Sequence, residues 1–368
     1  MRHADAAVVG GGPAGAAVAW RLATAGARVV LVHDRRDRWG PVGQQLPAGA
    51  RPVLAELGVL DAVAAGALAV HEARSVWGGP GVDRRPALFD PYGAPLAVDR
   101  PHLDRLLRQA AERAGARVFD GRVRAVPAAG GGWQVEDAAG RRRWTTRILV
   151  DASGASRACS RGHLPWTTVD RLRCVLWRVR PAGPAPQPYS LVEADPDGWW
   201  YTCPTASGDL LTVMRAEDMP AATAAGRPRA HEASLRLASG RPPRPPPRTR
   251  DRLGVALPAE RAYRVAVIGY ADPPWAPSLV AVGDAAFAAD PLSASGLGSA
   301  LYLAAPAADA VLGLLDGDPR PAEAYAVDVR ARVARHLEQR GLFLRLPAEY
   351  AEAPFWARRG ARHAGMHV

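Results

Sequence analysis

Residues 5–34 read DAAVVGGGPAGAAVAWRLATAGARVVLVHD, so an apolar strand, a glycine turn, a helix and a second apolar strand follow one another without a break. That order predicts a βαβ unit of the dinucleotide-binding kind. Gly10 allows the tight turn, Gly12 lets the backbone approach a pyrophosphate, and Gly15 lets the helix pack closely on the strand. Pro13 and Ala14 open the helix, whose free N-terminal amides suit a diphosphate. Ala19, Leu22 and Gly26 continue the sheet-facing spacing, and Val29 to Val32 form the next buried strand. The acidic residue expected to hold an adenosine ribose at the end of that strand is displaced by one place. His33 stands there and Asp34 follows, and either can make the contact.

With 368 residues and a hydrophobic fraction of 48%, the chain has room for two interwoven domains and a large core. The sequence reading finds no apolar run of membrane-spanning length, no leader before the first strand, and three cysteines (Cys159, Cys174, Cys203), too few for a disulfide framework. It points to a cytoplasmic protein without a membrane partner. The net charge is +11, yet the chain contains no lysine and no asparagine, and all 47 basic residues are arginine. A skewed coding sequence accounts for much of that charge, so the basicity argues weakly for nucleic acid, and no nucleic-acid partner is expected. His71, His102 and His163 lack ligand spacing and the cysteines form no CxxC pair, so no metal site is expected.

Downstream, residues 43–58 read as a loop leading into an amphipathic helix, 71–77 as a strand, and 96–118 as a strand end followed by a helix. Short strands near 121–127, 132–137 and 142–150 alternate with glycine-rich turns. From Asp170 to Tyr270 the pattern changes to longer strands of an antiparallel sheet, interrupted at 241–250 by RPPRPPPRTR, whose prolines favour an extended surface connection. A buried strand returns at Ser278, followed by a long alanine-rich helix over about 295–314 and helices to about 359, with a frayed end.

Two further segments carry chemistry. In LVAVGDAAFAADPLSASGLGSAL (279–301), a strand ending at Gly283-Asp284 can set a carboxylate against the hydroxyls of a ribityl chain. Pro291 and the Gly296-Leu297-Gly298 turn then lead into a helix N-terminus able to stabilise negative charge at a flavin N1 and O2 edge. In ILVDASGASRACSR (148–161), a buried strand runs into Asp151 and Gly154.

Together with the fingerprint and the segment around Arg100, these elements resemble the group A flavoprotein monooxygenases, the para-hydroxybenzoate hydroxylase-like superfamily, over nearly the whole chain. The resemblance implies an α/β fold: an FAD-binding Rossmann-like domain of the glutathione reductase type, an inserted antiparallel β-sheet substrate domain, and C-terminal helices. The corresponding division assigns 1–77, 97–165 and 278–330 to the FAD-binding domain, 78–96 and 166–277 to the substrate sheet, and 331–368 to the C-terminal segment. It also implies FAD, transient reduction by NAD(P)H without a separate nicotinamide domain, and a flavin C4a-hydroperoxide that hydroxylates an electron-rich ring. Arg100 matches the family arginine that meets the FAD diphosphate.

Three stretches are similar to the branch of tryptophan halogenases and of LodB-like and GoxB-like flavoproteins that modify tryptophan: GQQLP (43–47), EADPDGWWY (193–201) and PFWARR (354–359). Where the branch has a glutamate in GES or GEx, this chain has Gln44. Halogenases depend on a lysine to direct hypohalous acid and carry a WxWxIP signature, and the chain lacks both. The resemblance therefore implies hydroxylation of an aromatic ring, an indole on a peptide or protein in the first instance. Hydroxylation of a small phenol or indole, a non-oxygenating flavoprotein of the geranylgeranyl reductase kind, and a non-enzymatic binding module remain the alternatives. Asp290 is expected beside the flavin as the carboxylate that accepts the indole or phenol proton, although the same position suits a cap on the following turn. Trp199, Trp200 and Tyr201 alternate across a strand, so one face should line the substrate pocket and the other the core.

Overall fold

The computed structural model describes residues 2–34, 44–79, 81–138, 140, 143–220, 236–238 and 241–364. One sheet has five parallel strands at its centre, in the spatial order Leu279–Ala281, Arg143–Asp151, Arg2–Val9, Val29–His33 and Arg117–Asp120. The first strand of the chain is central and sealed on both faces, with Ala6, Ala7 and Val8 fully buried. A strand covered on both sides reads as an unbroken apolar run, which is how this one reads. On one face the helices Pro13–Thr24 and Ala304–Asp316 pack Ala16, Leu22, Ala307 and Val311 into the largest core. On the other, the meander Val123–Pro127 and Trp133–Asp137 joins Arg143–Asp151 and buries Trp133 and Trp144 against Val30, Val32 and Leu149.

The second sheet has nine strands. Trp166–Val179 lies between Arg261–Ala271 and Leu211–Asp218, and Gly198–Pro204 and Tyr189–Asp195 follow, all antiparallel. Glu72–Val76 then pairs in parallel with Tyr189–Asp195. The first boundary of the sequence division therefore moves: 72–76 belongs to the second sheet, where it satisfies the otherwise open edge of Tyr189–Asp195. A three-stranded sheet of Gln44–Leu46, Leu96–Val98 and Ala67–Ala69 lies at the junction, with Ala97 and Val70 packed against Cys203 and Tyr201.

Three local expectations are corrected. The alanine-rich segment is two helices, Gly296–Tyr302 and Ala304–Asp316, because the Pro306 ring cannot coexist with a helical carbonyl four residues earlier. Its composition over Gly296–Asp316 does reach the length and hydropathy of a membrane span, at 1.4 mean hydropathy, but 61% of that window is buried inside the protein. In the proline run, Pro247 opens a helix, Pro247–Leu253, whose first-turn amides on Arg248 and Thr249 donate to the buried Glu193 carboxylate at 3.0 and 2.6 Å. Proline at the first helical position lacks only an amide that would have had no partner in the helix, so the run starts a helix where an extended connection was expected.

The long helix Arg320–Arg345 packs on Ala304–Asp316 and reaches the first sheet through Tyr325, whose hydroxyl donates to the Ala281 carbonyl at 2.8 Å. The helix Pro354–Ala364 folds back on it and covers one face of the second sheet with Phe355 and Trp356.

Candidate functional site

Parallel register brings the ends of the central strands to one edge, with Val9 opposite Asp151 and Asp151 opposite Ala281. Three loops leave that edge side by side and interlock through backbone. A Cβ on Gly10, whose φ is +120°, would sit 2.1 Å from the Ala152 carbonyl oxygen. One on Gly15 would sit 2.0 Å from the Gly10 carbonyl, and one on Gly283 would sit 2.8 Å from the Ala14 Cβ. Gly12 is the exception, since nothing lies within 4 Å of where its Cβ would be. That open position caps the helix Pro13–Thr24, which has no side-chain cap, so no capping side chain competes with an anion for the first amides. An anion of diphosphate size fits such a cradle.

The flanking side chains form a charged rim. His33 ends the second strand and packs against Gly11, while Asp34 accepts from Arg122 at 3.1 Å. Arg100 is buried, donates to Asp104 at 3.2 Å, and lies close enough to Asp284 to act on its charge. Burial pushes the Asp284 carboxyl above its ordinary range and Arg100 partly offsets this. Arg108 donates to the Gly11 carbonyl at 3.1 Å. Asp104 and Arg108 escaped the sequence reading, although Arg100, Asp104 and Arg108 recur at helical spacing of four along one helix, a signal that could have found them. Gln44 lies in the strand Gln44–Leu46 opposite Val98.

Asp151, expected as a cofactor contact, is engaged as an internal clamp. Its fully buried carboxylate accepts from the Ser153 amide and hydroxyl at 3.0 and 2.6 Å and from the amides of Cys159 and Ser160 at 3.0 and 2.6 Å. With both oxygens used this way it shapes the 152–160 loop, in which Gly154 takes a φ of +70°.

Asp290, expected beside the flavin as a proton acceptor or as a cap on the following turn, is engaged within the protein likewise. Its carboxylate caps the turn Pro291–Ser293 by accepting from the Leu292 amide at 3.0 Å, and its other oxygen accepts from Arg340 Nε at 2.7 Å. Both oxygens of this buried carboxylate are thus engaged within the protein, one of them in an ion pair. Its own amide donates to His336 Nε2 at 3.0 Å, and burial lowers the His336 pKa, with Asp290 acting in the opposite direction. Pro291 starts the turn, and Gly296, Leu297 and Gly298 open the helix Gly296–Tyr302, where a Cβ on Gly298 would meet the Pro47 ring at 2.8 Å.

Of the three aromatics, two belong to the core. Trp199 is packed under Phe355 and Trp356. Trp200 faces the opposite side, stacked on Trp177 with centroids 5.9 Å apart and donating to Asp195. Tyr201 alone is half-buried, and its hydroxyl donates to Gln45 Oε1 at 3.3 Å across the junction between the sheets. Burial, with Cys203 beside it, holds that hydroxyl protonated well above its ordinary range. Val192 and Met214 stand opposite Tyr201 on neighbouring strands and are also half-buried, so the accessible part of this face centres on Tyr201. Gln45 was missed because its neighbour Gln44 occupies the position that family likeness points to.

The sequence pattern of an FAD binding domain matches residues 3–154, and that of the tryptophan halogenase family matches residues 91–365. The FAD-dependent oxidoreductase LodB of Marinomonas mediterranea is 29% identical over 228 residues, 60% of this chain and 61% of LodB, so the match spans about three fifths of that relative. The fold is similar to that of the myxobacterial chondrochloren halogenase CndH, with a TM-score of 0.79 and 23% identity over 98% of this chain and 86% of that one. It is also similar to the peptidyl tryptophan dihydroxylase QhpG, at 0.70 and 22% over 97% and 78%. The p-nitrophenol 4-monooxygenase PnpA of Pseudomonas putida gives 0.70 and 19% over 100% and 95%.

Proposed function

From the premise that this chain belongs to the tryptophan halogenase family of FAD-dependent oxidoreductases, we propose that it is a monooxygenase that hydroxylates an aromatic ring, an indole carried on a peptide or protein. The observation that carries the choice of hydroxylation over halogenation is the absence of any lysine in a chain that keeps the flavin-facing loops. QhpG, whose fold is shared, acts on a peptidyl tryptophan, which supports the substrate class.

The residues present fit FAD. The open position at Gly12 and the uncapped amides after it would take the diphosphate, Asp284 a ribityl hydroxyl, and the loop from Pro291 to Gly298 the pyrimidine edge of the flavin. His33 or Asp34 would meet the adenosine ribose. FAD held there and reduced by NAD(P)H would supply dioxygen activation, one oxygen atom going to the ring and the other to water. The chain's share is to hold and orient. Tyr201, kept protonated with its one hydrogen donated to Gln45, would accept the indole N–H of a substrate on the accessible face, with Val192 and Met214 against the ring. Asp290 is occupied in holding its loop through Leu292 and Arg340, so the proton lost from the ring would pass to water.

The test is purification with FAD followed by turnover with NADH or NADPH, isotopically heavy dioxygen and a tryptophan-containing peptide, with and without bromide. Heavy oxygen in the peptide's indole is the expected result. A brominated product would overturn the choice of chemistry, label only in free phenols or indoles would overturn the substrate class, and electron transfer without label would overturn the oxygenase reading.

A further inference from the structure

A ladder of alternating charges runs through the interior behind the third loop. Asp290 pairs with Arg340 Nε at 2.7 Å, and Arg340 reaches Asp170 with Nη2. Asp170 is gripped from the other side by Arg359 Nε at 2.7 Å, and Arg359 reaches Asp218 at 2.8 Å. Side-chain exposure is 2% for Asp290, 4% for Arg340 and Arg359, and 10% for Asp170, so solvent does not screen the inner part of the ladder. Its members come from five elements: the loop before Pro291, the helices Arg320–Arg345 and Pro354–Ala364, and the strands Trp166–Val179 and Leu211–Asp218. The first of these strands, Trp166–Val179, carries Asp170. In that strand the register shifts between Thr168 and Asp170.

The end of the ladder fixes the start of the loop at three points. The Asp290 carboxylate is held by Arg340, its amide by His336, and its carbonyl by the Ser293 hydroxyl at 2.8 Å. Pro291, with its fixed φ, transmits that position to the segment ending at Gly298.

We infer that Arg340 is a positioning residue for the flavin: by neutralising Asp290 it holds the Pro291–Gly298 loop in the conformation that receives FAD, and Arg359 on the C-terminal helix braces it through Asp170. The inference rests on the reading that this loop faces the flavin. Without Arg340, Asp290 becomes a buried carboxylate lacking its counter-ion, and it takes up a proton at a pH where it is otherwise charged. The charged and titratable groups facing it are Arg340 and the neutral His336 on the long helix, Asp170 and the protonated Cys174 on the adjacent strand, and Arg359 on the last helix; Arg264 acts on Cys174 from the next strand over.

The experiment is FAD titration of apo-protein by fluorescence at about pH 6 and about pH 8, with folding checked by circular dichroism. Arg340→Gln is expected to weaken FAD binding at least about tenfold at the higher pH and to recover most of it at the lower, where Asp290 is protonated. Arg340→Lys should stay within about threefold of the parent at both. The double variant Asp290→Asn with Arg340→Gln removes the loop charge that Arg340 neutralises, so the pH dependence introduced by Arg340→Gln should be lost. Should Arg340→Gln not fold, the double variant and Arg359→Gln decide, the latter with a smaller loss of the same sign. Parental affinity at both pH values in Arg340→Gln, or a pH dependence that survives in the double variant, would overturn the inference. A parent protein that binds no FAD would instead overturn the flavin reading on which it rests.

Discussion

At the carboxyl edge of the parallel sheet the decisive positions are those without a side chain: Gly10, Gly12, Gly15 and Gly283 set how closely three loops approach one another and what can approach them. On the nine-stranded sheet the decisive positions carry the largest side chains, and their meaning depends on which face they take. Trp199 and Trp200 are adjacent in sequence and sit in different cores, while Tyr201 is the one left accessible. A site made of backbone leaves its geometry in the spacing of glycines. A site made of strand side chains does not say what covers either face.

That contrast breaks most visibly at Trp200. Trp200→Ala empties a fully buried site against Trp177 and is expected to cost about 3–5 kcal/mol in chemical denaturation of the apo-protein while leaving FAD affinity within error. A stable variant with impaired turnover would return Trp200 to the pocket. On the glycine side, Gly10→Ala meets both a strained φ and the Ala152 carbonyl, and should lose about 2–5 kcal/mol of apo stability together with FAD. Gly12→Val has room in the apo-protein, so its melting should match the parent while FAD affinity falls about a hundredfold. Equal melting losses in the two glycine variants would show that Gly12 is structural.

Asp284 sharpens the comparison further because it is the charged member of the backbone site. Its carboxyl pKa is raised by burial, so its contribution favours the fold at low pH and is lost as pH rises through the raised value. Asp284→Asn should therefore melt higher than the parent at neutral pH as apo-protein, yet hold FAD more weakly by about 1.5–3 kcal/mol. A lower melting temperature would mean the carboxylate is stabilising as it stands. Tyr201→Phe is the mildest change. It removes one hydrogen bond to Gln45, worth about 0.5–1.5 kcal/mol, and is expected to raise KM for the aromatic substrate more than it lowers melting. An unchanged KM would place the substrate elsewhere on the sheet.

The unevenness of what the sequence discloses follows the same line. The βαβ unit, the meander and the third loop were legible because strand runs, glycine turns and helical spacing are local patterns. Asp151 and Asp290 were legible as positions but not in their hydrogen-bond partners, since a motif names a carboxylate without naming its donors. For Asp290 the partner is Arg340, and for Asp170 it is Arg359, 189 positions further on. Such pairs have no period to read. The helix at Pro247 was hidden for the same reason, because Glu193, which satisfies its first amides, lies on a strand more than fifty positions earlier.

The contact of Gly10 with Ala152 and of Ala14 with Gly283 also fixes an order of events during synthesis. As the chain leaves the ribosome, the fingerprint turn emerges first, its opposing wall only after residue 152, and the wall beyond that only after residue 283 and the strand Leu279–Ala281 that carries it. The entire nine-stranded sheet but for its last short strand, Phe287–Ala288, is made in the meantime. Pairings so distant along the chain close late. Acquisition of the yellow cofactor therefore timestamps completion of the polypeptide: nascent chains stalled before residue 279 should remain colourless however well their first domain has formed.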